Sequence, residues 1–265
     1  MADYSQALEG FTESEFTHDG TTRRVFRAGT GPAVIVIHEL PGMHAGVLDF
    51  GRRLVDRGFT VVLPSLVGTP GKPFGVGYTM RSFSRACVAQ EFAAFAADRT
   101  SPIVGWLRQL AAETHDECGG PGVGVVGMCF TGGFALGMMV DSRVLAPVLS
   151  QPSLPLGFSR KKRGGLNLSP EDLAAVKQRA ADGACVLGLR FTADRIVRAE
   201  RFERLRDELG DAFIAVEIDS GKGNPHDIKR TAHSVLTRDL VDEPGHPTRD
   251  ALDRVFAFMD ERLAR

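Results

Sequence analysis

The segment Val123-Gly124-Val125-Val126-Gly127-Met128-Cys129-Phe130-Thr131-Gly132-Gly133-Phe134-Ala135-Leu136 constrains this chain more than any other. A β-branched run stops at Gly127, and a Gly-rich, helix-like run begins just past Cys129. Where a strand turns sharply into a helix, the two elements approach closely, so the residues two positions either side of the apex must be very small. Gly127 meets that need upstream; downstream stands Thr131, followed by Gly132 and Gly133, so the pattern is G-x-C-x-T-G-G. Two readings of Cys129 follow. In one it is a nucleophile held at the apex of the turn. In the other it is a structural thiol in a tight βα connection, since free cysteine is among the most buried residue types.

Around this segment short apolar runs alternate with longer amphipathic ones, the pattern of a mostly parallel sheet with helices on both faces. The spacing predicts strands over Arg24–Arg27, Ala33–His38, Phe59–Leu63, Gly122–Gly127, Val144–Ser150, Ala184–Phe191 and Phe213–Ile218. It predicts helices over Leu48–Arg57, a long stretch Ser82–Glu113, Gly133–Val140, Pro170–Ala181, Arg198–Leu209 and Thr248–Leu263. With 265 residues and neither an internal repeat nor a low-complexity linker, the chain reads as one α/β domain over residues 1–265. The segments Val67–Tyr78, Pro152–Leu168 and Gly221–Pro247 are irregular, rich in Gly or Pro, and each follows a predicted strand. Strand-end loops build the site in open α/β sheets, so a pocket is expected there.

Composition narrows the partners. A net charge of -1 gives no basic surface for nucleic acid or for an anionic membrane. The opening Met1-Ala2-Asp3-Tyr4 is polar, and no run is long and apolar enough to span a bilayer, so neither a targeting segment nor a membrane helix is expected. Cys87, Cys118, Cys129 and Cys185 form no C-x-x-C pair and no His/Cys cluster at ligand spacing. That argues against zinc and against a disulfide framework, and suits a reducing cytoplasm. Cys87 and Cys185 fall in apolar runs and read as core. The basic run Arg160-Lys161-Lys162-Arg163 reads as a solvated surface or as the rim of a pocket that attracts anions.

A thiol nucleophile needs a base, and the base needs an acid to fix its tautomer; on an elbow of this kind the chain order is nucleophile, acid, histidine. Asp194 follows the apolar strand Ala184–Phe191, where it would serve either as that acid or as the N-cap of the next helix. His233 lies between the last strand and the last helix, and His226, in Gly223-Asn224-Pro225-His226-Asp227, competes with it as base. His18, His44, His115 and His246 lack a supporting context. Upstream, Ile35-Val36-Ile37 runs into His38-Glu39-Leu40-Pro41-Gly42, a turn carrying two titratable groups at the end of a buried strand. Such a turn supplies one oxyanion N–H, here Leu40, and the residue after the nucleophile supplies the other, here Phe130. His38 reads best as satisfying loop backbone groups.

The His38–Gly42 turn, the Gly127-Met128-Cys129-Phe130 elbow, the post-strand Asp194 and the Ala232-His233-Ser234 loop together resemble the dienelactone hydrolase family of α/β-hydrolases. The similarity runs from about Ala33 to the last helix, with four separated motifs in the family's order. The resemblance implies an α/β-hydrolase fold, with Cys129 as nucleophile, His233 as base and Asp194 as its orienting acid. It makes Glu39 the family glutamate that contacts the resting thiol and assists its activation. Three positions depart from the family: Thr131 stands for a glycine, the loop before His233 is longer, and Thr237 stands where an arginine grips the substrate carboxylate. Arg238, one residue later, together with Arg81 and Arg85, is the candidate replacement.

On this reading the protein cleaves a small-molecule ester or lactone through an acyl-enzyme, without metal or organic cofactor. Thiolate leaves more readily than an ordinary alkoxide, so enol-lactones, aryl esters and thioesters are favoured over alkyl esters and amides. The alternative is a hydrolase-fold protein that binds a small molecule without catalysis, its Cys129 inert or redox-sensing.

Overall fold

The structure, a computed structural model, describes residues 4–88, 92, 99–153 and 164–263. Eight strands form one sheet: β1 Thr12–His18, β2 Thr21–Ala28, β3 Ala33–Ile37, β4 Thr60–Pro64, β5 Val123–Met128, β6 Val144–Ser150, β7 Val186–Phe191 and β8 Phe213–Ile218. Their order is β1-β2-β4-β3-β5-β6-β7-β8, antiparallel from β1 through β2 to β4 and parallel from there on. Strands β3 to β7 are largely β-branched or apolar because both faces of the sheet are covered there, whereas β8, at the edge, buries only Phe213 and Ile218. In β3, Ala33, Ile35 and Ile37 enter one core while Val34 and Val36 enter the other. Helices α1 (Ala45–Val55) and α7 (Pro247–Leu263) cover the second face. The first is covered by α3 (Ile103–Cys118), α4 (Gly132–Met138), α5 (Pro170–Ala181) and α6 (Ala199–Leu209).

Three sequence expectations need correction. Strand β1 was not predicted, and β2 begins at Thr21 rather than Arg24. In β1 only Phe16 is buried, so the segment carries no apolar alternation; its edge position explains the polar face. The hairpin turns on Asp19 and Gly20, both at positive φ, a pair suited to a two-residue hairpin turn. The single long helix Ser82–Glu113 is instead two, α2 (Val76–Val88) and α3, whose N-cap is Pro102. Proline cannot donate into a preceding helical turn, so the periodic pattern on either side is interrupted there. Cys185 lies just outside β7 and is half-buried rather than core, whereas the side chain of Cys87 and the run Arg160–Arg163 lie outside the described residues.

No described helix is long and apolar enough to cross a membrane. Sequence order reverses about β3, which has β4 on one side and β5 on the other. At such a switch point loops diverge and leave a crevice at the strands' C-terminal ends.

Candidate active site

A cavity of about 340 Å³ opens at those strand ends. Its lining joins Glu39 and Leu40 after β3, Cys129 and Phe130 after β5, Ser153 after β6, Ile196 after β7, and Thr231, His233, Ser234 and Arg238 from the loop after β8. Phe74 and Thr79 complete the described lining.

Cys129 sits at φ 58°, directly after Met128 in extended conformation. Positive φ is strained for a residue with a Cβ, and such strain is held only where neighbours over-determine it. Gly127 is one of them: a Cβ there would meet the Thr131 carbonyl oxygen at 2.3 Å and Ala135 Cβ at 3.0 Å. Downstream, the requirement for smallness falls on Gly132 and Gly133, where a Cβ would lie 2.6 Å from Pro152 Cβ and 2.8 Å from Asn167 Oδ1. Thr131 is tolerated because its buried hydroxyl accepts from Met128 N–H (2.8 Å) and lies 2.9 Å from Ile37 O and 2.8 Å from Met128 O. The substituted threonine is therefore a clasp between β5 and the end of β3.

His233 faces two different environments. Nδ1 lies 2.6 Å from Asp194 Oδ2, and Asp194 Oδ1 accepts Ile196 N–H at 2.8 Å. Asp194 is not a helix cap, since the N-cap of α6 is Arg198. The opposite nitrogen, Nε2, is buried and has no nitrogen or oxygen partner. Burial opposes a charged imidazole here, but the charge of Cys129 and the hydrogen bond to Asp194 outweigh it and hold His233 well above its ordinary range. The loop itself is pinned by Asp239, whose Oδ2 accepts both His233 N–H and Ser234 N–H at 2.8 Å.

Glu39 is buried and fully engaged. Oε1 receives His44 Nε2 at 3.2 Å and the Thr237 hydroxyl; Oε2 receives the Ser234 hydroxyl at 2.7 Å and Gln151 Nε2 at 3.1 Å. Burial alone would raise the carboxyl, yet the hydrogen bond and charge of His44, with the Thr237 and Ser234 hydroxyls, hold it at about 2. None of its four hydrogen-bond partners is Cys129. The residue hydrogen-bonded to the thiol is instead Ser153, whose Oγ lies 3.2 Å from Cys129 Sγ. His38 is buried and structural: Nδ1 donates to Glu39 O (2.9 Å) and Nε2 accepts Leu66 N–H (3.1 Å), and burial depresses its pKa to about 4.

Among the expected substrate ligands only Arg238 lines the cavity, its guanidinium stacked 4.0 Å over the Phe74 ring. Arg81 and Arg85 are exposed and do not line it. Thr79 marks the cavity-facing side of α2, and residues two and six positions on project from other sides of a helix. His226 is likewise exposed; it packs against His246 with ring centroids 5.4 Å apart and borders a separate cavity of about 240 Å³. His44, Gln151, Ser153 and Asp239 were not anticipated as site residues. Among the described residues no group of three or more His, Cys, Asp or Glu is placed to hold a metal ion.

The fold agrees with solved structures of low sequence identity. A candidate dienelactone hydrolase from Klebsiella pneumoniae subsp. pneumoniae MGH 78578 has a TM-score of 0.64 at 17% identity, covering 95% of this chain and 98% of that one. The α/β hydrolase GrgF from Penicillium sp. sh18 has a TM-score of 0.63 at 13% identity, covering 96% and 99%. A cold-adapted esterase from an Arctic intertidal metagenomic library has a TM-score of 0.59 at 15% identity, covering 96% and 95%. No curated protein matches the chain significantly. The sequence model of the dienelactone hydrolase family matches residues 22–263, nearly the whole chain, and the chain belongs to that family.

Proposed function

We propose that this family member is a cysteine-dependent hydrolase of small-molecule ester or lactone bonds. The observation that carries the reading is one cavity in which Cys129, at positive φ on the elbow, meets His233, whose outer nitrogen is tied to Asp194 at 2.6 Å. Cys129 thiolate attacks the carbonyl, and the N–H groups of Leu40 and Phe130 receive the oxyanion. His233 imidazolium gives its Nε2 proton to the leaving oxygen, which leaves a neutral base. That base takes a proton from water as the hydroxide equivalent attacks the thioester, and expulsion of Cys129 thiolate restores the starting pair.

Glu39 acts on this reading as a fixed anion rather than as an acceptor of the thiol proton, since four donors already saturate it. Arg238 supplies positive charge to a substrate carboxylate, and Leu40, Phe74, Phe130 and Ile196 give the rest of the cavity an apolar wall. Activated substrates, such as aryl esters and enol-lactones, suit a nucleophile that itself leaves easily. The free thiols of Cys118, Cys129 and Cys185 support a reducing compartment, the cytoplasm.

The test is a panel of activated aryl esters and lactones assayed on wild type and Cys129→Ala, with iodoacetamide labelling mapped by peptide mass. Selective labelling of Cys129 and loss of turnover in Cys129→Ala are expected. Full turnover in that variant refutes the mechanism, and an unreactive Cys129 favours a binding protein without catalysis.

A further inference from the structure

Ser153 is held against the nucleophile by the backbone as well as by its side chain. Its N–H donates to Cys129 O at 2.9 Å, and the preceding Pro152 packs so closely on Gly132 that a Cβ there would lie 2.6 Å from Pro152 Cβ. The residue is 4% exposed, and among the described residues its hydroxyl has Cys129 Sγ as its hydrogen-bonding partner, at 3.2 Å. A hydroxyl can donate to a thiolate or accept from a thiol. In the thiolate–imidazolium pair of the mechanism proposed above, the sulfur is the anion and the hydroxyl is its donor.

We propose that Ser153 is a catalytic residue whose hydroxyl donates a hydrogen bond to the Cys129 sulfur whenever that sulfur carries negative charge. The inference rests on the hydrolase reading above and adds a second donor to the sulfur. At rest the Ser153 hydroxyl, 3.2 Å from Cys129 Sγ, donates to the thiolate while the His233 imidazolium lines the same cavity as its counter-charge. On attack the S–C bond forms, the carbonyl electron pair moves to oxygen, and the hydroxyl loses most of its hold on the neutralised sulfur. Deacylation reverses this: water adds to the thioester with its proton passing to His233, the C–S bond breaks, and the electron pair returns to sulfur opposite the Ser153 hydroxyl. Ser153 transfers no proton at any stage. Its contribution falls on thiolate formation and on thiolate departure, and a hydrogen bond to a charged group is strong enough to make each about tenfold less favourable when lost.

The experiment compares wild type, Ser153→Ala and Ser153→Thr by iodoacetamide alkylation rate against pH and by pre-steady-state turnover of p-nitrophenyl acetate. In Ser153→Ala the alkylation profile should move to higher pH, deacylation should slow by about tenfold, and the acyl-enzyme should accumulate by intact mass. Ser153→Thr, which keeps the hydroxyl, should restore most of both. A wild-type alkylation profile in Ser153→Ala, or equal losses in the two variants, overturns the proposal; should Ser153→Thr fail to fold, the profile of Ser153→Ala decides alone. If Cys129→Ala still turns over ester, the hydrolase reading fails and takes this one with it. If turnover needs Cys129 but ignores the Ser153 hydroxyl, this inference alone falls.

Discussion

His233 Nδ1 lies 2.6 Å from Asp194 Oδ2, while the other ring nitrogen is buried without a nitrogen or oxygen partner. The carboxylate therefore dictates which nitrogen is free to serve the cavity. Asp194→Asn keeps the shape but lets the amide favour the opposite tautomer, so turnover of an activated ester should fall on the order of a thousandfold or more. Against the burial that lowers it, the Cys129 charge first and the Asp194 hydrogen bond second raise His233, and this sets a pH signature. The folded value of His233 is raised, so its stabilising contribution is complete below the unfolded value of 6.5 and is lost as pH climbs through the raised one. Urea unfolding across alkaline pH should show that decline in wild type and a flatter profile in Asp194→Asn.

Glu39 is depressed to about 2, which gives the opposite sign. Its contribution is present above the ordinary carboxylate value of 4.5 and disappears as pH falls toward 2. Glu39→Gln should cost about 3 kcal/mol, because one face of the amide meets donors with a donor. Glu39 is a fixed anion lining the same cavity as the thiol, so its loss in any folded Glu39→Gln should ease ionisation of Cys129 and move the alkylation profile to lower pH. A profile displaced to higher pH would restore direct thiol activation by Glu39.

The two loop histidines separate cleanly by position. His233→Ala should cut turnover by several orders of magnitude, as loss of a general base does, whereas His226→Ala should change it less than threefold. Both variants should keep native circular dichroism. A reversed ranking would move the base to His226.

Arg238 is read by charge. Arg238→Ala should raise KM about tenfold for an ester bearing a carboxylate and leave a neutral ester unaffected, with kcat preserved in both cases. Arg81→Ala and Arg85→Ala should change neither, because their side chains do not border the cavity. Equal KM increases for charged and neutral esters would assign Arg238 to packing on Phe74.

Strands β3 to β7 were legible because they are apolar on both faces, and Cys129 and Asp194 stood out because each closely follows such a strand, with His233 in the loop after β8. Strand β1 escaped because Phe16 is its sole buried residue; the Asp19-Gly20 pair was the available signal. Arg81 and Arg85 were placed in the right neighbourhood but on the wrong side of α2, a matter of helical phase relative to Thr79 that no local pattern around them reveals. Gln151, Ser153 and Asp239 are ordinary loop residue types. Their significance comes only from proximity: Ser153 is 24 positions from the thiol it touches, and Ser234 is 195 from the carboxylate it donates to.

Thr131 places one hydroxyl between Met128 on the elbow and Ile37 at the root of the His38–Gly42 turn. The Cys129 elbow and the turn that follows β3 are thereby fastened through one side chain. On the proposed mechanism the spacing between thiol and oxyanion donors is then set by Thr131, a fully buried side chain outside the cavity lining.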